Sequence, residues 1–376
     1  MYTYYSKLGR MIEGKTPLSQ EGYYVLSEEN CVTYSSVKPE SAELITVDRF
    51  TEALVQGCKS IIHSFANGPD NKEVYVFNLN ADEHSSIFIY MNTIPRFEET
   101  LAGYRSRYGE KYNDFGEINS LKYNQGDFDF QFWPEGEPGR IVEAFETIAY
   151  GADDADDAEQ ADFDEEEDKP VFAFEAGVIR DGYYAIALKA VRLLIEENAF
   201  APLNKTENFI VFASTGNDYL DYGTVMRKTI APELLYGVFP DLREKDRQFE
   251  QELDQIRHLP ISDYLNHWIP AVHSSYTSVS PYLYDKSEYD IFLQLERFGN
   301  ELAQECLNRL EQLDYGRELS REESDLLYYY AEALHFSGEL TREQKEQCLE
   351  LARMMGQAED DLADISKEMA EIASKS

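Results

Sequence analysis

The feature that most constrains the fold is a change of hydrophobic period along the chain. Two neighbouring runs, Glu73–Asn80 (EVYVFNLN) and Ser86–Asn92 (SIFIYMN), are rich in β-branched and aromatic residues, and a short polar link, 81–85, joins them. That composition and that link length predict an antiparallel hairpin. Residues 127–133, Asp-Phe-Asp-Phe-Gln-Phe-Trp, alternate polar and aromatic side chains. Period two predicts a half-buried strand with Phe128, Phe130 and Phe132 on one face and Asp127 and Asp129 on the other. Beyond about residue 286 the period changes. Leu295, Phe298, Leu302, Cys306 and Leu310 recur at three- and four-residue steps, the spacing of one helix face. Ser320-Arg-Glu-Glu323 and Thr341-Arg-Glu-Gln344 carry capping-box signatures, and Gly338 and Gly356 stand where helices would stop. The expected fold class is α+β: a mainly antiparallel sheet with packed helices, followed by a C-terminal all-helical extension of three or four helices.

Between these landmarks the chain divides further. Residues 1–45 form a mixed N-terminal segment, with room for a short strand or two in 22–36. A helix is expected from about Thr46, with Asp48 as its N-cap and Phe50, Leu54, Cys58, Ile61 and Ile62 on its buried face. The turn signal Asn67-Gly-Pro-Asp70 ends it. Helices are also expected over 96–108, from 139, and over 183–197. A buried strand is expected at Phe209–Ala213, another over 224–230, and a turn or short helix at 232–236. The whole of 46–240 reads as one α+β domain. Its interruption, 151–169, is almost all Asp, Glu and Ala with no Lys or Arg between Asp153 and Asp168, and a run of like charge is expected to stay solvated as a linker. It lacks the glycine at the sixth position that a calcium-binding loop needs. Residues 241–285 are expected to connect the domain to the helical extension, 286–376.

Charge narrows the partners. The formal net charge is −38 over 376 residues. Nucleic acid and an anionic membrane surface are excluded as expected ligands, because both require a basic footprint. A basic protein is favoured, since a field of this sign speeds its approach. Solubility alone is the plainer role of such charge. The four cysteines, Cys31, Cys58, Cys306 and Cys348, form no C-x-x-C pair and are expected as free thiols. The first residues lack an apolar signal-peptide core and no stretch is apolar enough to span a membrane, so the expected location is cytoplasmic.

Chemistry is harder to find. Dinucleotide, P-loop, nucleophile-elbow and zinc-protease motifs are all missing from the sequence. The catalytic candidates are Asp127, Asp129, Asp218 and His63. Paired carboxylates such as Asp127 and Asp129 can do acid–base work if one is desolvated, although acids on a strand face ordinarily serve solvation. Asp218 and Asp221 follow a buried strand in the loop STGNDYLDYG, where functional residues concentrate and where Asn and Asp also simply build turns. Phe128, Phe130 and Asp221 are the binding candidates. His63 ends the apolar stripe of its helix and reads equally as a cap or a core-edge residue. His267 and His273 have no third ligand in view, so no metal or cofactor is expected. Arg96, Arg105 and Arg107 are expected to pair with nearby acids.

The order of the segments EVYVFNLN, SSIFIYMNT, LKYNQGDFDFQFW, AIALKAVRLLIEENAF and ENFIVFASTGND resembles the bacterial domain-of-unknown-function family number 4303, over about residues 46–240. The positions that carry it are Asp127, Phe128, Phe130, Phe200, Phe209 and Asp218. The acidic stretch and the helical tail depart from that pattern. The resemblance implies no catalytic residue. It implies an immunity-like role, in which an acidic protein neutralises a basic toxin. Two alternatives stand beside it: an enzyme of unrecognised type with acidic residues in a cleft, and a structural adaptor acting through the helical tail.

Overall fold

The computed structural model describes residues 4–5, 11–12, 22–82, 86–157, 168–179, 183–214, 225–273, 284, 286, 288–358 and 362–374. The chain forms two compact units, one of residues 17–241 and one of residues 242–376 with 2–16. The expected α+β class holds, with one adjustment: both four-stranded sheets are mixed, each containing a single parallel pair.

In the second unit's N-terminal piece, β1 (Tyr4–Tyr5) pairs antiparallel with β2 (Met11–Ile12). The first unit opens with β3 (Tyr23–Ser27), β4 (Val32–Ser35) and β5 (Glu43–Ile45). With β9 (Pro170–Glu175) they form a sheet in the order β4-β3-β9-β5. The second sheet contains β6 (Val74–Ala81), β7 (Ile87–Thr93), β8 (Phe130–Phe132) and β10 (Lys205–Ser214), in the order β10-β6-β7-β8. The β6–β7 hairpin is antiparallel as its sequence requires, and β10 runs parallel to β6.

Helix α1 (Val47–Ala66) reaches both sheets. Near its start Phe50 meets Phe174 of β9 at 6.0 Å, and near its end Phe65 meets Phe130 of β8 at 5.0 Å. Its stripe of Phe50, Leu54, Cys58, Ile61 and Ile62 is buried throughout. The N-cap is Thr46, whose hydroxyl accepts from the Arg49 amide. Asp48, expected in that role, lies in the first turn instead, where it meets Lys189 at 2.8 Å. A helix N-terminus stabilises an acid in its first turn as well as at its cap, and the sequence pattern does not separate the two positions. Helices α2 (Ile94–Tyr108), α3 (Phe115–Lys122), α4 (Gly136–Asp157), α5 (Tyr183–Glu196) and α6 (Pro232–Val238) complete the unit.

Three sequence expectations change here. Helix α4 continues into the acidic run as far as Asp157, with Ala152 and Ala155 buried. Alanines at three-residue spacing give the run an apolar edge, so like charge does not prevent helix there. Residues 158–167 lie outside the described residues. Residues 225–230, expected as strand, are a helical turn followed by turns. Finally, β8 begins at Phe130, because residues 125–127 form a 3₁₀ turn that Phe128 closes.

Apart from the β1–β2 pair, the described residues of the second unit are mainly helical. Residues 241–285 do more than connect: they contain most of Pro240–Ile256 and all of Ile261–His273. Glu288–Leu295, Asn300–Leu310, Arg321–Leu334, Arg342–Met355 and Ala363–Ser374 follow. The continuous stripe read from Leu295 to Leu310 is broken at Gly299, where φ is +51°. Both expected capping boxes are formed, at Ser320 with Glu323 and at Thr341 with Gln344. A shared core gathers Trp268, Phe292, Leu302, Cys306, Leu327 and Met369.

Candidate functional site

The two faces of the β10-β6-β7-β8 sheet separate the residues that sequence reasoning grouped. Cross-strand partners point to the same side. The pairs Ile89–Phe132 and Met91–Phe130 therefore place both phenylalanines on the α1 side, against Phe65. Phe128 lies before the strand and packs on the other side, beside Tyr75 and Tyr90. The expected single Phe face is thus split, because the 3₁₀ turn resets the alternation. His63 does not approach this region. Two residues along a helix turn through about 200°, so with Phe65 buried against β8, His63 faces away and is exposed.

Asp127 sits in the turn and is held by it. Its carboxylate accepts from the Tyr104 hydroxyl at 2.6 Å and from Asn124 Nδ2 at 2.8 Å. The bond to Asp127 pushes the Tyr104 phenol up to about 12. Asp129 is exposed; partial burial pushes its carboxyl up, against the opposing pull of Arg96. Arg96 pairs with Glu99 at 3.1 Å and Asp70 at 3.6 Å, as expected of that cluster, while Arg105 donates to the Tyr112 carbonyl. The same turn projects Gln125 onto a buried polar layer. Ser214 Oγ, at the end of β10, lies 2.9 Å from Gln125 Oε1 and 2.8 Å from Asn80 Oδ1, and accepts from Asn78 Nδ2 at 3.0 Å. Lys122 is half-buried, its ammonium 4.7 Å from the Tyr75 ring, and burial lowers its basicity. Asp218 and Asp221 lie outside the described residues.

A second region, which sequence reasoning passed over, is concave. Where β8 hands over to α4, Trp133, Pro134, Glu135, Gly139, Glu143 and Glu146 line a cleft of about 430 Å³. Its construction can be followed from two glycines. A β-carbon on Gly57 of α1 would stand 2.8 Å from Pro134 Cβ, and one on Gly139 of α4 would stand 2.4 Å from the Pro134 carbonyl oxygen. Only glycine lets both helices close on Pro134. The proline is buried, and the neighbouring indole is left outward, 52% exposed and edge-on to Phe88 at 5.7 Å. Trp133 thus lines the same cleft as Glu135, Glu143 and Glu146. Glu146 accepts from the Ile87 amide at 2.8 Å; burial pushes its carboxyl up, the amide pulls it down, and neighbouring Glu143 pushes it further up.

A neighbouring cleft of about 370 Å³ shares Arg140 and Glu143 with the first. Leu26, Ala144 and Phe172 give it an apolar floor, and Glu28 and Thr147 stand at its margin. Arg140 is committed on this side, pairing with Glu43 at 3.0 Å and lying 5.2 Å from the Phe172 ring centre. The signal that could have located the first cleft is the segment Trp133-Pro-Glu-Gly-Glu-Pro-Gly139, a helix entry dense in turn formers with an aromatic at its head.

Among the described residues no group of three or more His, Cys, Asp or Glu side chains is placed to hold a metal ion. No helix among them is long and apolar enough to cross a membrane. The four cysteines are free; Cys58, Cys306 and Cys348 are buried and Cys31 is exposed. No family model, no curated protein and no solved structure matches the chain.

Proposed function

We propose that this chain is an acidic protein-binding module whose partner is a basic protein, and that it acts in the cytoplasm as a neutraliser of that partner. The observation that carries the reading is the Trp133 cleft. The exposed Trp133 lines, together with Glu135, Glu143 and Glu146, a concavity large enough for a side chain. Aromatic rings in partly desolvated pockets are the anchors of protein interfaces, and carboxylates beside an indole suit a cationic side chain. The net charge of −38 adds a long-range attraction to the same class of partner. The toxin-neutralising form of the reading draws on the family resemblance of residues 46–240.

The test is a calorimetric titration of the full chain with a cationic ribonuclease and, in parallel, with an acidic protein of similar size. Binding of the cationic protein alone, weakening steeply as salt rises and weakened again by Trp133→Ala, is the expected result. Equal affinity for both proteins, or none for either, overturns the reading.

A further inference from the structure

We infer that the two clefts flanking the first turns of α4 form one groove for an extended, arginine-bearing segment of the partner. The arginine seats against Trp133, and a large apolar side chain of the same segment seats in the neighbouring cleft. This rests on the protein-binding reading above and specifies its ligand.

The cationic seat follows from what surrounds the first cleft. Glu143 and Glu146 stand one helix turn apart on α4, so their charges repel, and Glu146 bears that charge half-buried. A cation placed between them removes the repulsion. Arginine fits better than lysine for three reasons. Its planar guanidinium stacks on an indole, presents several donors to separate carboxylates at once, and is more weakly hydrated than an ammonium. The cleft is lined by an aromatic residue, Trp133, and by acids from two stretches of chain, Glu135 before the helix and Glu143 and Glu146 along it. The resident Arg140 does not fill this seat, since its guanidinium is held by Glu43 and Phe172 on the other side.

The second seat follows from the shared wall. Arg140 and Glu143 line both clefts, so the two openings adjoin across one ridge of α4. An extended chain rises about 3.3 Å per residue and its side chains alternate faces, so side chains two residues apart, about 7 Å, reach both from one face. The floor of Leu26, Ala144 and Phe172 is apolar, which selects an apolar partner side chain there.

The experiment uses the full chain and synthetic peptides with an arginine and a leucine two residues apart, on one face of an extended chain. Three analogues accompany them: arginine replaced by lysine, arginine replaced by the neutral isostere citrulline, and leucine replaced by serine. Affinity is read by calorimetry and by fluorescence. Of the chain's two tryptophans, Trp133 is exposed and Trp268 is fully buried, so a ligand-induced change belongs to Trp133 and vanishes in Trp133→Phe. The expected order is arginine above lysine by about tenfold, a further loss for citrulline, and a several-fold loss for the serine peptide. Trp133→Ala weakens the arginine peptide by about tenfold as well. Equal affinity of the arginine and citrulline peptides overturns the inference, and so does an arginine peptide that binds without involving Trp133. If the cationic ribonuclease binds and no peptide does, this inference fails while the broader reading stands. If neither binds, both fail.

Discussion

The two units solve the same packing problem with different materials. The first joins distant segments through aromatic rings: Phe50 of α1 meets Phe145 of α4 at 4.8 Å and Phe174 of β9 at 6.0 Å. On one sheet face it also buries a layer of amides and a hydroxyl at Asn78, Asn80 and Ser214. The second unit packs helices through a mixed aliphatic and aromatic core, with Phe292 stacked on Phe336 at 5.5 Å, and fixes helix starts with local caps, as at Ser320 and Thr341. The difference teaches where a concave site is easiest to build. In the first unit strands, helices and turns converge from far apart in sequence, and their mismatched ends leave clefts. In the second, among the described residues, helix faces gather on one shared core.

The largest effect should come from truncating each core in turn. Phe50→Ala and Trp268→Ala each remove a fully buried ring and should each cost about 3–5 kcal/mol. In differential scanning calorimetry the Phe50 variant should lower the transition of the first unit and the Trp268 variant that of the second. A uniform drop of a single transition in both variants would contradict the division into two compact units.

A smaller effect should distinguish the buried network from the caps. Ser214→Ala strips a buried hydroxyl from Asn78, Asn80 and Gln125 and should cost about 1–3 kcal/mol, because the remaining amides stay buried without it. Ser320→Ala removes a solvent-exposed cap and should cost about 1 kcal/mol. Chemical denaturation measures both. A cap loss exceeding the network loss would reverse the ranking drawn here.

The second unit was the more legible in the sequence. Capping boxes and helix-stopping glycines are local signals, read correctly at Ser320, Thr341 and Gly356. The kink at Gly299 went unread, because an unbroken apolar stripe at 295–310 hides a change of direction and makes two helices look like one. Among the described residues five helices therefore stand beyond 286 where three or four were expected, and the helices within 241–285 were read as a connection. In the first unit the β6–β7 hairpin and α1 were legible for the same reason: composition and a short turn decide them. What was not legible depended on distant residues. The split of Phe128 from Phe130 arises from a turn locked by Asn124 and Tyr104. The Trp133 cleft depends on Gly57, more than seventy residues before it, allowing α1 to approach Pro134. No local pattern at Trp133 announces that approach.

The smallest effect is a pH dependence of opposite sign in the two units. Burial raises the Glu146 carboxyl, so its ionised form costs stability above that raised range, and the cost is relieved as pH falls through it. Glu323, bonded to Arg317 and to the Ser320 amide, is lowered to about 2. Its contribution is present above the ordinary glutamate range and is lost as pH falls toward that low value. Glu146→Gln keeps an acceptor for the Ile87 amide and should raise the melting temperature of the first unit slightly at neutral pH. Glu323→Gln should lower that of the second. Melting curves at neutral and acid pH check both, and each difference should shrink on acidification. A Glu146→Gln protein that melts lower at neutral pH would show that its charge is needed by the fold.

The most direct test of the central claim is the fluorescence of Trp133 during titration with a cationic ribonuclease, compared with the Glu135→Gln/Glu143→Gln double variant. Trp133→Ala should change stability by no more than about 0.5 kcal/mol, as exposed residues generally do, so the cleft can be altered without disturbing the fold. The account predicts a saturable change in the wild-type signal that salt reverses and that the double variant largely loses. An unchanged Trp133 signal while the ribonuclease binds would place the partner elsewhere on the chain and contradict the account.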